Sequence, residues 1–248
     1  MPRYSTLERI ASISEDQWGL ITRRQVEQAG VPRTTLDRLT AQPAVLERVA
    51  FGVYRLTGAP IPDHLDLRAA WLQLEPEVPA WERMPDQGVV SHRSAASLYG
   101  LGHLPADRHE FTVPVRRQSR RHDVCLHIRR LEPRDYIELA GLPVTRPSRI
   151  ASDLLYDREE PDAVAHIVAD AIRGADDYPG TFADALAPHA ARFGFRRGDG
   201  LALLRWLLDL VGDPETDQWI HEAREHVSRR AKEGSQSQPA ATAGRRRR

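Results

Sequence analysis

The sequence predicts an α+β fold, mostly helical, built in two parts. Apolar residues recur at helical spacing near the N-terminus and through the last third, while short alternating runs cluster between residues 88 and 146. A turn-rich joint, Thr57-Gly58-Ala59-Pro60-Ile61-Pro62, separates a small N-terminal part from a larger one.

In the small part, residues 4–20 read as a helix, with Leu7, Ile10, Ala11 and Ile13 on one side and Trp18 and Leu20 near its end. A second helix spans Thr22 to Ala29, Gly30 supplies a turn where positive φ is cheap without a Cβ, and a third helix spans Val31 to Gln42. Pro32 fits the start of that helix, where its missing N–H is not needed. Leu36 and Leu39, three apart on one face, pack back on Val26. Residues 45–49 and 53–56 alternate as two strands about a tight Phe51-Gly52 turn. Helix, glycine turn, helix and hairpin together make a winged helix-turn-helix over residues 1–57, which points to double-stranded DNA as a partner. The hairpin directly after the second helix of the pair weighs against a small helical subdomain that binds only protein.

The outward face of the third helix carries Arg33, Thr34, Thr35, Asp37 and Arg38. Arginine there reaches guanine edges or phosphates, and threonine bonds phosphate or touches a thymine methyl. Arg48 and Arg55 flank the hairpin and are placed to grip backbone phosphates, and Arg23 joins these DNA-binding candidates.

The larger part covers residues 63–230. It opens with a helix over 63–75, Leu65, Ala69, Leu72 and Trp71 facing inward, then a loop with three prolines from Glu75 to Gln87. Val89 and Val90 make a short strand, Ser91 is placed to cap the next helix and Gly100 to end it. Residues 109–115 and 123–130 alternate as strands joined by an arginine-rich turn at 116–122, and 136–140 pairs with 142–145 about Ala140-Gly141. A small antiparallel sheet over 88–146 is therefore expected, followed by a helical bundle over 148–231. Its helices fall at 148–156 behind Pro147, at 160–173, less regularly at Phe182 to Phe193 where Pro188 interrupts, at 200–211, and from Pro214 to about Lys232. Residues 233–248 read as a disordered basic tail ending in four arginines.

Formal net charge is +0 and hydrophobic content 41%, which argues against both global disorder and a broadly basic nucleic-acid coat. Charge is polarised instead. Residues 1–58 hold eight arginines against six acids, and residues 114–134 hold seven arginines against Asp123 and Glu132. Residues 151–222 hold fifteen acids against six arginines, so front and back suit different partners. Arg116, Arg117, Arg120 and Arg121 concentrate positive charge at the 116–122 turn, as a DNA or partner contact or as a solvated loop. Lys232 is the one lysine, a bias expected of a GC-rich bacterial genome. Cys125, the one cysteine, excludes a disulfide within the chain and any multi-cysteine zinc site, and reads as a strand residue. No signal-like apolar segment and no run of about eighteen apolar residues is present, so a cytoplasmic location is expected.

With its helix-turn-helix and hairpin followed by Val89-Val90-Ser91-His92-Arg93-Ser94-Ala95-Ala96, and by Gly141-Leu142-Pro143-Val144-Thr145-Arg146-Pro147-Ser148-Arg149 leading into Ala151-Ser152-Asp153-Leu154-Leu155, the chain resembles the AbiE-type (type IV) antitoxins, AbiEi-like winged-helix transcriptional regulators. The resemblance covers roughly residues 5 to 160 and is looser over the C-terminal helices. It implies an N-terminal domain that binds inverted repeats in its own promoter and a C-terminal domain that counters a cognate nucleotidyltransferase-like toxin. It places Arg33, Thr34, Thr35 and Arg38 on the recognition helix, and Arg48 and Arg55 on the wing. Monomer and weak dimer, each cooperative on DNA, are both consistent with it.

Two rivals belong to other classes. A plain ligand-responsive repressor requires an apolar pocket with a few polar groups. A Vsr-like nuclease, which occurs behind the same N-terminal and middle segments, requires acids at a strand end to hold a divalent metal. Asp153, Asp157, Glu159, Glu160 and Asp162 cluster, but beside helices, so no catalytic residue, metal or cofactor is expected. His221 and His226 are five apart, which puts their rings about 140° apart on a helix and disfavours shared zinc ligation. His92, His103, His109, His122 and His127 read as structural or surface residues.

Overall fold

In the computed structural model, which describes residues 5–42, 45–119 and 121–236, the chain forms two compact units. The first comprises Met1–Leu98 and Ala106–Thr145, the second Tyr99–Pro105 and Arg146–Arg248.

The first helix, α1 (Thr6–Glu15), is shorter than the periodicity predicts. Ser5 and Glu8 close a capping box at its start, and the helix gives out at Asp16. Trp18 and Gly19 then both take positive φ, and Leu20–Thr22 forms strand β1 in place of a last helical turn. Leu20 and Ile21 are fully buried, paired opposite Arg55 and Tyr54, a burial that a continued helix would not give them.

Thr22 caps α2 (Arg23–Gln28) in a capping box with Gln25. Gly30 (φ 73°) makes the turn, and Arg9 of α1 clamps it by donating to the Ala29 carbonyl at 2.9 Å. Pro32 then precedes α3 (Arg33–Thr40). Strands β2 (Leu46–Ala50) and β3 (Val53–Leu56) follow, and the three strands are ordered β1-β3-β2, all antiparallel. Ile10, Ile21, Val26, Val31, Leu36, Leu39, Leu46 and Tyr54 form the core beneath them. The expected packing of Leu36 and Leu39 with Val26 is present.

The rest of the first unit is keyed to this module by buried polar and aromatic contacts. Helix α4 (Leu65–Leu74) buries Trp71, whose Nε1–H donates to the Gly88 carbonyl at 2.8 Å. Trp18 meets Trp71 edge-on, with Arg68 lying 4.4 Å over Trp18 and Arg83 lying 4.3 Å over Trp71. Burial pushes the Arg83 pKa down to about 10, yet its guanidinium still donates to the Trp71, Leu72 and Glu75 carbonyls. Gln25 donates to the Val78 carbonyl at 3.2 Å, and Gln17 accepts from the Ala80 N–H at 3.1 Å.

The second sheet corrects an expectation. Strands β4 (Val89–Val90), β5 (His109–Val113), β6 (Val124–Ile128), β7 (Tyr136–Leu139) and β8 (Leu142–Thr145) are ordered β6-β5-β4-β8-β7. The sheet is mixed and not antiparallel, because β4 pairs parallel with β8 and β5 with β6. Residues 114–123 therefore do not make a hairpin. The parallel register sets Val124 beside His109. Side-chain alternation is the same for both strand directions, so periodicity cannot distinguish them. The β7–β8 hairpin is as expected, with positive φ at Ala140 and Gly141 as a tight primed turn requires. Between β4 and β5 lies α5 (His92–Tyr99), ended by Gly100.

The second unit is helical. Proline opens α6 (Pro147–Tyr156), α7 (Pro161–Arg173) and α8 (Pro179–Leu186). A 3₁₀ segment at Ala187–Phe193 holds Pro188, the expected interruption. Next come α9 (Gly200–Leu210) and α10 (Thr216–Gln236), the latter running four residues past its expected end. Residues 237–248, most of the expected tail, lie outside the described residues. Among the described residues no helix is long and apolar enough to cross a membrane.

Candidate nucleic-acid interface

Leu36 and Leu39 fix the rotation of α3 by turning into the core. That rotation leaves Arg33, Thr34, Asp37 and Arg38 exposed and Thr35 half-buried. Arg33 sits 3.9 Å from Asp37, with 70% and 62% of the two side chains exposed, a pairing too solvated to hold either in place. Arg38 makes no ion pair among the described residues. The expected contact face is thus a set of extended, available cations and hydroxyls beside the helix start.

The β2–β3 hairpin behaves differently at its two arginines. Arg48 is exposed and lies 5.4 Å over the Phe51 ring, which is itself 81% exposed at the hairpin tip. Arg55 is only 11% exposed, donating to Glu47 at 2.6 Å and to the Ala59 carbonyl at 2.6 Å. A register shift between Arg48 and Ala50 sets Glu47 opposite Arg55 and Arg48 opposite Tyr54. An unshifted two-residue hairpin would oppose the two arginines. Arg55 is therefore a brace inside the hairpin. Arg23 is half-buried and paired with Glu27 at 3.0 Å, a bond that raises its pKa and lowers that of Glu27. Arg24, its neighbour, was not singled out by pattern, yet its side chain is 59% exposed.

The second arginine cluster does not sit at a hairpin tip. Arg116 is exposed on the crossover, while Arg117 pairs with Glu75. Arg121 grips Asp123 through two bonds, the Nε–H at 2.8 Å, and also reaches Gln73. That grip holds the Asp123 carboxyl down at about 2. Arg120 lies outside the described residues. A cavity of about 550 Å³ opens between the wing tip and this crossover, lined by Arg23, Phe51, Leu74, Arg117, Arg121 and Leu126 among others.

Asp153 is buried on α6 and accepts from Arg149 at 2.8 Å, while Asp162 lies in the first turn of α7. His221 pairs with Glu225 at 3.5 Å and His226 with Asp184 at 3.4 Å, so the two rings serve separate acids.

No curated protein matches the chain. Residues 8–57, the segment from α1 through β3, match the family model described as transcriptional regulator, AbiEi antitoxin.

Proposed function

We propose that this protein is a sequence-specific DNA-binding antitoxin that represses its own promoter and counters a nucleotidyltransferase-like toxin. One coincidence carries the reading. The segment matching a regulator family is the one whose α3 turns Arg33, Thr34 and Arg38 outward while anchoring Leu36 and Leu39. In this reading residues 1–57 act as a winged helix-turn-helix. Helix α3 enters a major groove, where Arg33 and Arg38 donate to guanine edges or phosphates and Thr34 bonds a phosphate. Arg48 lies along the backbone, Arg55 stiffens the wing from within, and occupancy of the operator blocks transcription. Toxin neutralisation is a separate act of the later helices, whose stretch 151–222 holds fifteen acids against six arginines. No catalytic role is proposed.

The test is binding of the purified protein to labelled DNA from its own upstream region, with scrambled competitor, beside the Arg33→Ala/Arg38→Ala double variant. Specific binding lost in a folded double variant is expected. Equal affinity for scrambled DNA would overturn the reading.

A second reading, the ligand-responsive repressor, draws on the cavity of about 550 Å³ against the wing tip, a volume within the range of small-molecule sites. It predicts that a small effector releases the operator without the toxin. Release that follows toxin alone favours the first reading.

A further inference from the structure

Strands β5 and β6 run parallel with Glu110 beside Cys125 and Thr112 beside His127. Residues two apart on a strand share a face, so Glu110, Thr112, Cys125 and His127 occupy one face of this sheet. One ligand atom each from Glu110, Cys125 and His127 lies within 4.8 Å of the other two. His127 Nε2 and a Glu110 oxygen are 2.6 Å apart, with only 16% and 13% of the two side chains exposed. His92 is buried at the start of α5, with φ 53° and its Nδ1 2.9 Å from the Ser91 hydroxyl, and it stacks on His127 at 3.5 Å and 13°. Thr112, almost fully buried, has a hydroxyl with no partner among the described residues.

We propose that Glu110, Cys125 and His127 form a site for a divalent transition-metal ion of the zinc type. The donor set is one thiolate, one imidazole and one carboxylate, the three groups that bind zinc. Three protein ligands leave a fourth position for water or a partner's side chain. Tetrahedral bonding needs ligand atoms roughly 3.3–3.7 Å apart, given zinc–ligand bonds of about 2.0–2.3 Å. The three atoms lie within 4.8 Å of one another, and the 2.6 Å contact of His127 with Glu110 must open by side-chain rotation to admit an ion. Binding replaces the hydrogen bond between His127 and Glu110 and displaces the proton of the Cys125 thiol to solvent. His92 is a positioning residue. Its ring, stacked on His127 at 3.5 Å and 13°, fixes the plane of His127. The backbone holds the site on two adjacent strands, and the low exposure limits competition from water.

The test uses the full-length protein, reduced and treated with chelator, titrated with Co²⁺ and then Zn²⁺. One equivalent of cobalt should give a thiolate-to-cobalt charge-transfer band that zinc removes. Cys125→Ser should abolish the band, and Glu110→Gln and His127→Ala should each weaken affinity by at least about tenfold. Circular dichroism verifies that each variant is folded. Absence of a charge-transfer band in the unaltered protein overturns the proposal, including the case in which cobalt binds through other histidines. If Cys125→Ser does not fold, Glu110→Gln decides, since it keeps shape and hydrogen bonding, and unchanged affinity there overturns the proposal as well.

Discussion

The face of α3 and the connection between β5 and β6 are both rich in arginine, but among the described residues they hold their charges differently. On α3, Arg33 and Arg38 stand beside a single solvated acid, and the helix is held from behind by Leu36 and Leu39. On the crossover, Arg117 and Arg121 are engaged by Glu75, Gln73 and Asp123, and among the described residues Arg116 is the exposed exception. Local charge density is therefore a poor guide to where a protein offers charge. A cation already bound to a carboxylate must break that pair before it meets a phosphate, whereas a solvated one sheds only water and counterions.

The contrast can be broken from behind the α3 face. Leu36→Ala removes a fully buried anchor and should destabilise the protein by about 2–5 kcal/mol, read as a lower denaturation midpoint. An unchanged midpoint would mean that α3 does not depend on the core for its orientation.

Substitution of the exposed cations sharpens the comparison. Arg33→Ala and Arg38→Ala should each weaken specific DNA binding by about 1–3 kcal/mol with the denaturation midpoint kept. If either contacts phosphate, the salt dependence of binding should also flatten by about one unit of slope. Loss of stability with no loss of binding would reverse the roles assigned to the two regions.

On the crossover the pattern should invert. Arg121→Ala leaves Asp123 without its partner and should destabilise by about 1 kcal/mol, discounted for partial exposure, whereas Arg116→Ala should stay within about 0.5 kcal/mol. The Asp123 carboxyl is depressed to about 2 from 3.8, so its stabilising contribution is present above about pH 4 and fades as pH falls toward 2. Acid titration of the unaltered protein and of Arg121→Ala should converge at the bottom of that window. Parallel curves would remove the pair from the stability of this region.

Much of the α3 face was legible in sequence because a helix converts spacing into direction. Once Leu36 and Leu39 are assigned inward, Arg33 and Arg38 have nowhere to go but out. The wing was legible as strands but not as a register. The shift at Arg48/Ala50 is one residue wide, and it decides whether Arg55 meets an acid or another arginine. The expected last turn of α1 failed for a related reason. Trp18 and Leu20 fit helical spacing, but burying Leu20 and Ile21 beside β3 required extended backbone.

From the sequence alone come most of the helices and strands, the glycine turn between α2 and α3, the proline starts of α6 and α7 and the polarised charge. These are local properties, set by side-chain periodicity and by the backbone limits of glycine and proline. Tertiary structure alone decided the strand directions in the mixed sheet, the pairing of Arg55 with Glu47, and the meeting of Glu110, Cys125 and His127. Each depends on which strand lies beside which, and in what register. Alternation along a single strand is blind to both, since it repeats identically for every neighbour and either direction.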